Sequence, residues 1–121
     1  MNGISYLLDT NIIIGLLKRQ AVVLDVFVAR QIAIDACAYS AITRMELLSF
    51  SAITPAEKRA IAFLLSQMRY LALTVDIEDQ TIEFRRIHQT KLPDSIIAAT
   101  AKQYRLELIT LDKKLAGAVS I

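Results

Sequence analysis

Four acidic side chains stand in sequence settings where their carboxylates could act together: Asp9, Glu46, Asp94 and Asp112. Asp9 is unusual because it joins two apolar runs, residues 6–8 and 12–14. Glu46 lies among Met45, Leu47 and Leu48, with no basic residue three or four positions away to pair with it. A helix N-cap is the alternative role for the three aspartates, and an exposed helical glutamate is the alternative for Glu46.

Converging carboxylates define the chemistry to expect. Each pair would repel by about 4 kcal/mol at 4 Å and an effective dielectric of 20, and a bound cation offsets such repulsion. Oxygen ligands favour Mg²⁺ or Mn²⁺, whereas one histidine and one cysteine are too few for the common zinc sites. Because such an ion polarises a phosphoryl oxygen and lowers the pKa of a bound water, the residues indicate phosphoryl transfer or phosphodiester hydrolysis.

Composition narrows the class of protein. A length of 121 residues, without repeats or linkers, predicts a single domain over residues 1–121. The net charge of +2 does not indicate a nucleic-acid binder, although a local basic patch remains open. The single cysteine, Cys37, excludes a disulfide framework and fits a reducing compartment. Without a signal peptide or an apolar run of about 18 residues, we expect a cytoplasmic protein with no membrane segment.

The hydrophobic pattern alternates between short apolar runs and helical periodicity. It predicts strands at residues 4–8, 34–39, 71–75, 106–110 and 118–121. It predicts helices at about 11–19, 21–31, 43–52, 54–68, 76–88 and 94–104, with a helical turn at 112–115. Thr54 and Glu57 have the spacing of a capping box that starts the helix at 54–68, with Pro55 at its first position. Strands separated by helices imply right-handed crossovers, so we expect an α/β three-layer sandwich whose central, mostly parallel sheet has four to five strands.

That fold gives the acidic residues a common destination. Asp9 and Asp112 follow predicted strands, Asp94 opens a helix after the Leu92-Pro93 break, and Glu46 lies on the helix after the second strand. Sites in open parallel sheets lie beyond the carboxyl ends of the strands. The four carboxylates are therefore expected to meet at one edge of the sheet.

Four segments carry a family resemblance: residues 6–14 (YLLDTNIII), 40–48 (SAITRMELL), 91–101 (KLPDSIIAATA) and 108–115 (LITLDKKL). In order and spacing they resemble the four motifs of a PIN domain, above all those of VapC-type toxin ribonucleases of bacterial toxin–antitoxin pairs. The resemblance implies an Mg²⁺- or Mn²⁺-dependent endoribonuclease that acts on RNA. It also implies a homodimer, inhibited by a cognate antitoxin whose segment lies across the site and often brings an arginine towards the carboxylates.

The resemblance also assigns residues. Its catalytic, metal-holding quartet falls on Asp9, Glu46, Asp94 and Asp112, and its accessory polar positions fall on Asn11, Ser40, Thr43 and Thr110. Lys113-Lys114-Leu115 stands where many relatives carry an acidic-aromatic pair, so Asp112 rests on the weakest of the four matches. Basic residues beside the motifs are candidates for RNA phosphates, with a solvated surface as the alternative: Arg44, Lys91, Lys113 and Lys114.

Three other functions are weighed against this interpretation. A PIN-like module that has lost catalysis and binds RNA or protein is disfavoured because all four carboxylates are present. A receiver-type phosphoacceptor needs an acidic pair after its first strand, where Asp9-Thr10-Asn11 supplies one acid. A metal-free ribonuclease of the usual kind needs two histidines, and His88 is alone.

Overall fold

A computed structural model describes residues 3–120, which alternate strands with helices. The strands are β1 (Tyr6–Leu8), β2 (Cys37–Ser40), β3 (Arg69–Leu71) and β4 (Glu107–Ile109). The helices are α1 (Thr10–Leu17), α2 (Ala21–Ala29), α3 (Ala41–Leu48), α4 (Pro55–Ser66), α5 (Val75–His88), α6 (Leu92–Gln103) and α7 (Lys113–Val119). Within these residues no helix is both long and apolar enough to cross a membrane.

The sheet has the order β3-β2-β1-β4, and every pair of neighbouring strands is parallel. Side chains alternate between its faces, so Leu8 belongs to a core formed with helices α1 to α4, including Ile12 and Val23. Leu7 points the other way, into a core that includes Phe84 of α5 and Ile97 of α6. The predicted three-layer α/β sandwich is confirmed, with four strands in the part of the chain described.

The predicted elements differ from the observed ones mainly at their ends. The predicted strand at 118–121 is wrong, because Ala118 and Val119 continue α7, while Ile121 lies outside the described residues. The strand predicted at 71–75 ends at Leu71, because the Thr74 hydroxyl accepts a hydrogen bond from the Ile77 N–H and starts α5.

Two further boundaries depend on local turns. A 3₁₀ turn at Ile34–Ala36 shortens the second predicted strand, so that β2 begins at Cys37. Helix α6 begins at Leu92 rather than at Asp94, because proline is well tolerated in a first helical turn, where its missing N–H is not needed. Asp94 therefore lies inside that turn instead of capping it. The capping box predicted for α4, between Thr54 and Glu57, is confirmed.

Helices α1 and α2 approach each other closely at Gly15. A Cβ atom at this position would lie 2.4 Å from the Cγ2 atom of Val23, which is completely buried. The glycine is therefore required by packing against α2, since its backbone conformation is ordinary for a helix.

We expect Gly15→Ala to lower the free energy of unfolding by about 1–3 kcal/mol through overpacking against Val23. Gly117→Ala is the matched control, because nothing lies within 4 Å of a Cβ atom at Gly117. In that helix alanine should stabilise the protein by roughly 0.5–1 kcal/mol. Urea unfolding measures both variants, and equal effects of the same sign would contradict the close approach of α1 and α2.

Candidate active site

Asp9 lies where β1 ends and α1 begins, and its residue is only 5% exposed. Its Oδ1 atom accepts a hydrogen bond of 2.8 Å from the Thr10 N–H, and its Oδ2 atom accepts one of 2.6 Å from the Thr110 hydroxyl. The Asp9 N–H donates to the Ile109 carbonyl at 2.9 Å, which extends the pairing of β1 with β4. The carboxylate is therefore fixed from both strands.

Glu46 is tied to the same strand end through a chain of hydroxyl groups. The Thr10 hydroxyl donates to Glu46 Oε1 at 2.7 Å and lies 2.9 Å from the Thr43 hydroxyl oxygen. Thr10 has a single hydroxyl proton, so when it donates to Glu46 the buried Thr43 hydroxyl donates to Thr10. Glu46 is solvent-exposed, as the alternative interpretation expects, but its position is set by α1.

Asp94 is half-buried in the first turn of α6, and its charge acts on Asp9, as does that of Glu46. Burial raises the pKa of Asp9, the hydrogen bonds from Thr110 and Thr10 lower it, and the charges of Asp94 and Glu46 raise it further. The net effect is a raised pKa. Negative charge is thus costly at the end of β1, which is the condition under which a cation binds favourably.

Asp112 takes a different position from the other three acids. It is exposed and caps α7, with Oδ1 accepting from the Leu115 N–H at 3.1 Å. Its own N–H donates to the Thr110 hydroxyl at 3.0 Å, so it orients the group that holds Asp9. The N-cap role weighed for Asp112 is thus observed, next to the site.

The accessory positions connect the elements around Asp9. The Ser40 hydroxyl caps α3 by accepting from the Ile42 N–H, and Asn11 Oδ1 accepts from the Leu111 N–H at 3.4 Å. Thr43 and Thr110 support Glu46 and Asp9 as described above. Thr10 was not singled out from the sequence, and its position beside Asp9 in a polar step between two apolar runs was the only signal that could have found it.

The donor atoms that surround Asp9 are carboxylate and hydroxyl oxygens, which fit Mg²⁺ or Mn²⁺. Within residues 3–120 no three acidic, histidine or cysteine side chains stand close enough together to form a ready-made metal cluster. Magnesium keeps several of its waters when bound, so carboxylates that are near one another without converging still suit it. The donor chemistry therefore fits the ion.

The four basic candidates are all exposed: Arg44 on α3, Lys91 before α6, and Lys113 and Lys114 in the first turn of α7. Among residues 3–120 the ion pair observed joins Arg30 to Glu107, so these four side chains are not engaged by acids there. They remain candidates for phosphate contacts, and that role stays a prediction.

Comparisons with known proteins agree with this geometry. A family model described as the PIN domain matches residues 6–119. A toxin–antitoxin complex from Klebsiella pneumoniae contains a chain that is 34% identical, with a TM-score of 0.80, over 93% of this chain and 92% of that one. FitAcB from Neisseria gonorrhoeae gives 25% identity and a TM-score of 0.75, covering 96% and 94%.

A more distant structure has the same fold. VapBC2 from Rickettsia felis, bound to a DNA fragment from its promoter, contains a chain that is 19% identical, with a TM-score of 0.78 over 95% of this chain and 93% of that one. A search of curated proteins finds no match.

We expect Asp9→Asn to stabilise the metal-free protein at neutral pH, because the amide removes a buried charge while its oxygen can still accept from the Thr10 N–H. The raised pKa means that the Asp9 contribution to stability is present below its usual value of 3.8 and is lost as pH rises through the folded value. Urea unfolding with a chelator should show the gap between variant and wild type widening over that interval and then levelling off.

The matched control is Asp112→Asn, since asparagine caps a helix about as well as aspartate. It should change stability little across the same pH range. An Asp9→Asn variant less stable than wild type at neutral pH would contradict the charge burden assigned to this strand end.

Proposed function

The chain belongs to the PIN domain family, and we propose that it is the toxin of a toxin–antitoxin pair, a Mg²⁺- or Mn²⁺-dependent endoribonuclease that hydrolyses RNA phosphodiester bonds. The observation that carries the proposal is Asp9: a buried carboxylate with a raised pKa, exposed to the charges of Asp94 and Glu46. A fold keeps such an arrangement at little benefit to its own stability, which indicates a function.

Asp9, Asp94 and Glu46 are the residues that would hold the ion, and Asp112 would assist through water or through Thr110. When bound, the ion polarises a phosphoryl oxygen and lowers the pKa of a water, supplying a nucleophile at neutral pH. Thr110 and Thr10 keep the Asp9 and Glu46 carboxylates oriented by donating hydrogen bonds to them. Fixed ligands of this kind need little rearrangement during the reaction.

The RNA strand would approach the carboxylates across a basic margin. Lys113 and Lys114 directly follow Asp112, and Lys91 directly precedes the helix that contains Asp94. Arg44 lies two residues before Glu46. Phosphate contacts of this kind position a strand without reading its sequence. The first turn of α6 has no side-chain cap, because the N-cap residue is Lys91. Backbone N–H groups at that helix end therefore remain available to a phosphate.

The antitoxin partner is supported by the 34% identical chain, whose structure is a toxin–antitoxin complex. A groove of about 420 Å³ between α1, α3 and α4 suits a peptide segment. Its floor includes Leu17, Leu47 and Ile61, and Phe50 on its rim is 60% exposed. Glu46 also lines this groove, so a segment bound there reaches the site and could present a basic side chain to it.

A homodimer in the cytoplasm completes the proposal. Apolar side chains of α2 and α4 are the candidates for its interface; of these, Val23 is buried, and Phe27 and Leu64 pack against the core. Val22 and Phe63 are exposed and remain candidates. Light scattering on purified protein tests this part, and a monomeric mass at micromolar concentration would remove it.

We expect purified protein to cleave single-stranded RNA with Mg²⁺ or Mn²⁺ and to lose cleavage with a chelator. Asp9→Asn and Asp94→Asn should each reduce the rate at least about 100-fold, because even outer partners of metal ligands are worth about 10- to 100-fold. Asp25→Asn, an exposed acid on α2, is the control and should retain the wild-type rate.

Two results would overturn the metal mechanism: cleavage that survives the chelator, or wild-type rates in both site variants. RNA binding without any cleavage under these conditions would favour the alternative, a PIN module that has lost catalysis.

We expect Phe50→Ser to weaken binding of the cognate antitoxin by about tenfold or more, as for a central aromatic contact. Ile87→Ser is the matched control, because Ile87 is 65% exposed on α5 and does not line the groove. Calorimetry with the purified antitoxin compares the two variants. Equal affinities would show that the groove is not the antitoxin site.

A further inference from the structure

A second cleft lies between the end of α5 and the start of α6, outside the carboxylate site. It has a volume of about 470 Å³ and is lined by residues of the α5–α6 corner: Thr81, Ile82, Arg85, Arg86, Gln89, Thr90 and Leu92. We call it the Arg85–Arg86 cleft. Its chemistry is mixed, with two guanidinium groups beside the exposed aliphatic side chains of Ile82 and Leu92.

The two arginines of this cleft form no ion pair within residues 3–120. Arg85 Nε donates to the Thr90 carbonyl at 3.1 Å, which holds its guanidinium across the corner and leaves its remaining donors available. Arg86 is exposed on the next position of α5. The ion pair observed within residues 3–120 joins Arg30 to Glu107, so neither arginine of the cleft is neutralised by an acid in that part of the chain.

The corner is held in one shape by its backbone. Gln89 adopts a left-handed conformation, with φ of 53°, and its N–H closes α5 by donating to the Arg85 carbonyl at 2.8 Å. The Thr90 hydroxyl then contacts that of Ser95, which is fully buried in α6. The two arginines are therefore presented by a structured turn, which limits the ordering cost of binding a ligand there.

The cleft and the carboxylate site share the first turn of α6. Leu92 lines the cleft and Asp94, two residues later in the same helical turn, acts on Asp9. Positions two apart in a helix point to different sides of it, so an RNA strand would pass around the start of α6 to place one phosphate at Asp94 and a flanking nucleotide in the cleft. The side chain at the start of α6, Lys91, is basic as well.

We propose that the Arg85–Arg86 cleft binds a nucleotide of the RNA strand flanking the scissile phosphate, an inference that rests on the proposed ribonuclease function. Arg85 and Arg86 contact the flanking phosphate, and Ile82 and Leu92 pack against the base. A nucleotide fits this lining because it joins an anionic group to a flat apolar face, whereas a wholly apolar partner would leave both guanidinium groups desolvated and unpaired.

The test is the salt dependence of RNA binding, measured by fluorescence anisotropy with a labelled single-stranded RNA of about 12 nucleotides. A chelator keeps the RNA intact. For single strands the slope of log K against log salt changes by about 0.7 for each phosphate contact. We expect Arg85→Gln/Arg86→Gln to make the slope shallower by about 1.4.

The matched control is Lys58→Gln/Arg59→Gln, which removes the same charge from the exposed face of α4 and should leave the slope unchanged. Arg86→Gln alone keeps the hydrogen bond from Arg85 to Thr90 and should make the slope shallower by about 0.7. This single variant keeps the test valid if the double variant folds poorly. Ile82→Ala should weaken binding without altering the slope.

A slope in the double variant equal to that of the wild type or of the control would overturn the proposal. So would a change in oligomeric mass with an unchanged slope, because it would assign the cleft to a protein contact. Cleavage by the wild type with Mg²⁺ or Mn²⁺ is measured separately. Cleavage by the wild type with an unchanged slope in the double variant contradicts only the role of the cleft. A shallower slope in the double variant without cleavage by the wild type contradicts the proposed ribonuclease function instead.

Discussion

The burial of one carboxylate, Asp9, at the end of β1 is the constraint on which the rest of the site depends. An ionised side chain at this depth is stable only when hydrogen-bond donors reach it. One donor, the Thr10 N–H, exists because α1 starts immediately after the strand. The other, the Thr110 hydroxyl, is in reach because β4 pairs with β1 in the register Leu8↔Ile109. The start of α1 and the pairing of β4 with β1 thus each supply one donor to the Asp9 carboxylate.

Within residues 3–120, hydroxyl groups rather than basic side chains hold Asp9 and Glu46 in place. One chain runs from Thr43 through Thr10 to Glu46, and another runs from the Asp112 N–H through Thr110 to Asp9. Hydroxyls orient a carboxylate without neutralising it, so the negative charge at the strand ends stays available. The raised pKa of Asp9 measures how unfavourable that charge is in the protein alone. The buried charge of Asp9 therefore lowers the stability of the fold, as is common at functional sites.

The two concave surfaces adjoin different carboxylates. The groove of α1, α3 and α4 reaches Glu46, and the Arg85–Arg86 cleft shares the first turn of α6 with Asp94. They belong to helices on opposite faces of the sheet. On the proposed function, an antitoxin segment and an RNA strand therefore approach from opposite sides and compete only over the carboxylates between them.

The sequence by itself determined the alternation of strands and helices, the three-layer class and the identity of the acidic residues, because these follow from local periodicity and from side-chain chemistry. Local signals also located the capping box of Thr54 and Glu57. They misplaced β3 and predicted a last strand where α7 continues, because short apolar runs fit strands and helices alike.

Only the tertiary structure decided which groups touch. Thr10 meets Glu46 across 36 positions, and Thr110 meets Asp9 across 101, so no local pattern could assign either pair. The same holds for Arg85 and Arg86, which the α5–α6 corner places beside Leu92 in one cleft. Periodicity records which face of an element is buried, whereas the geometry of a site depends on how distant elements pack.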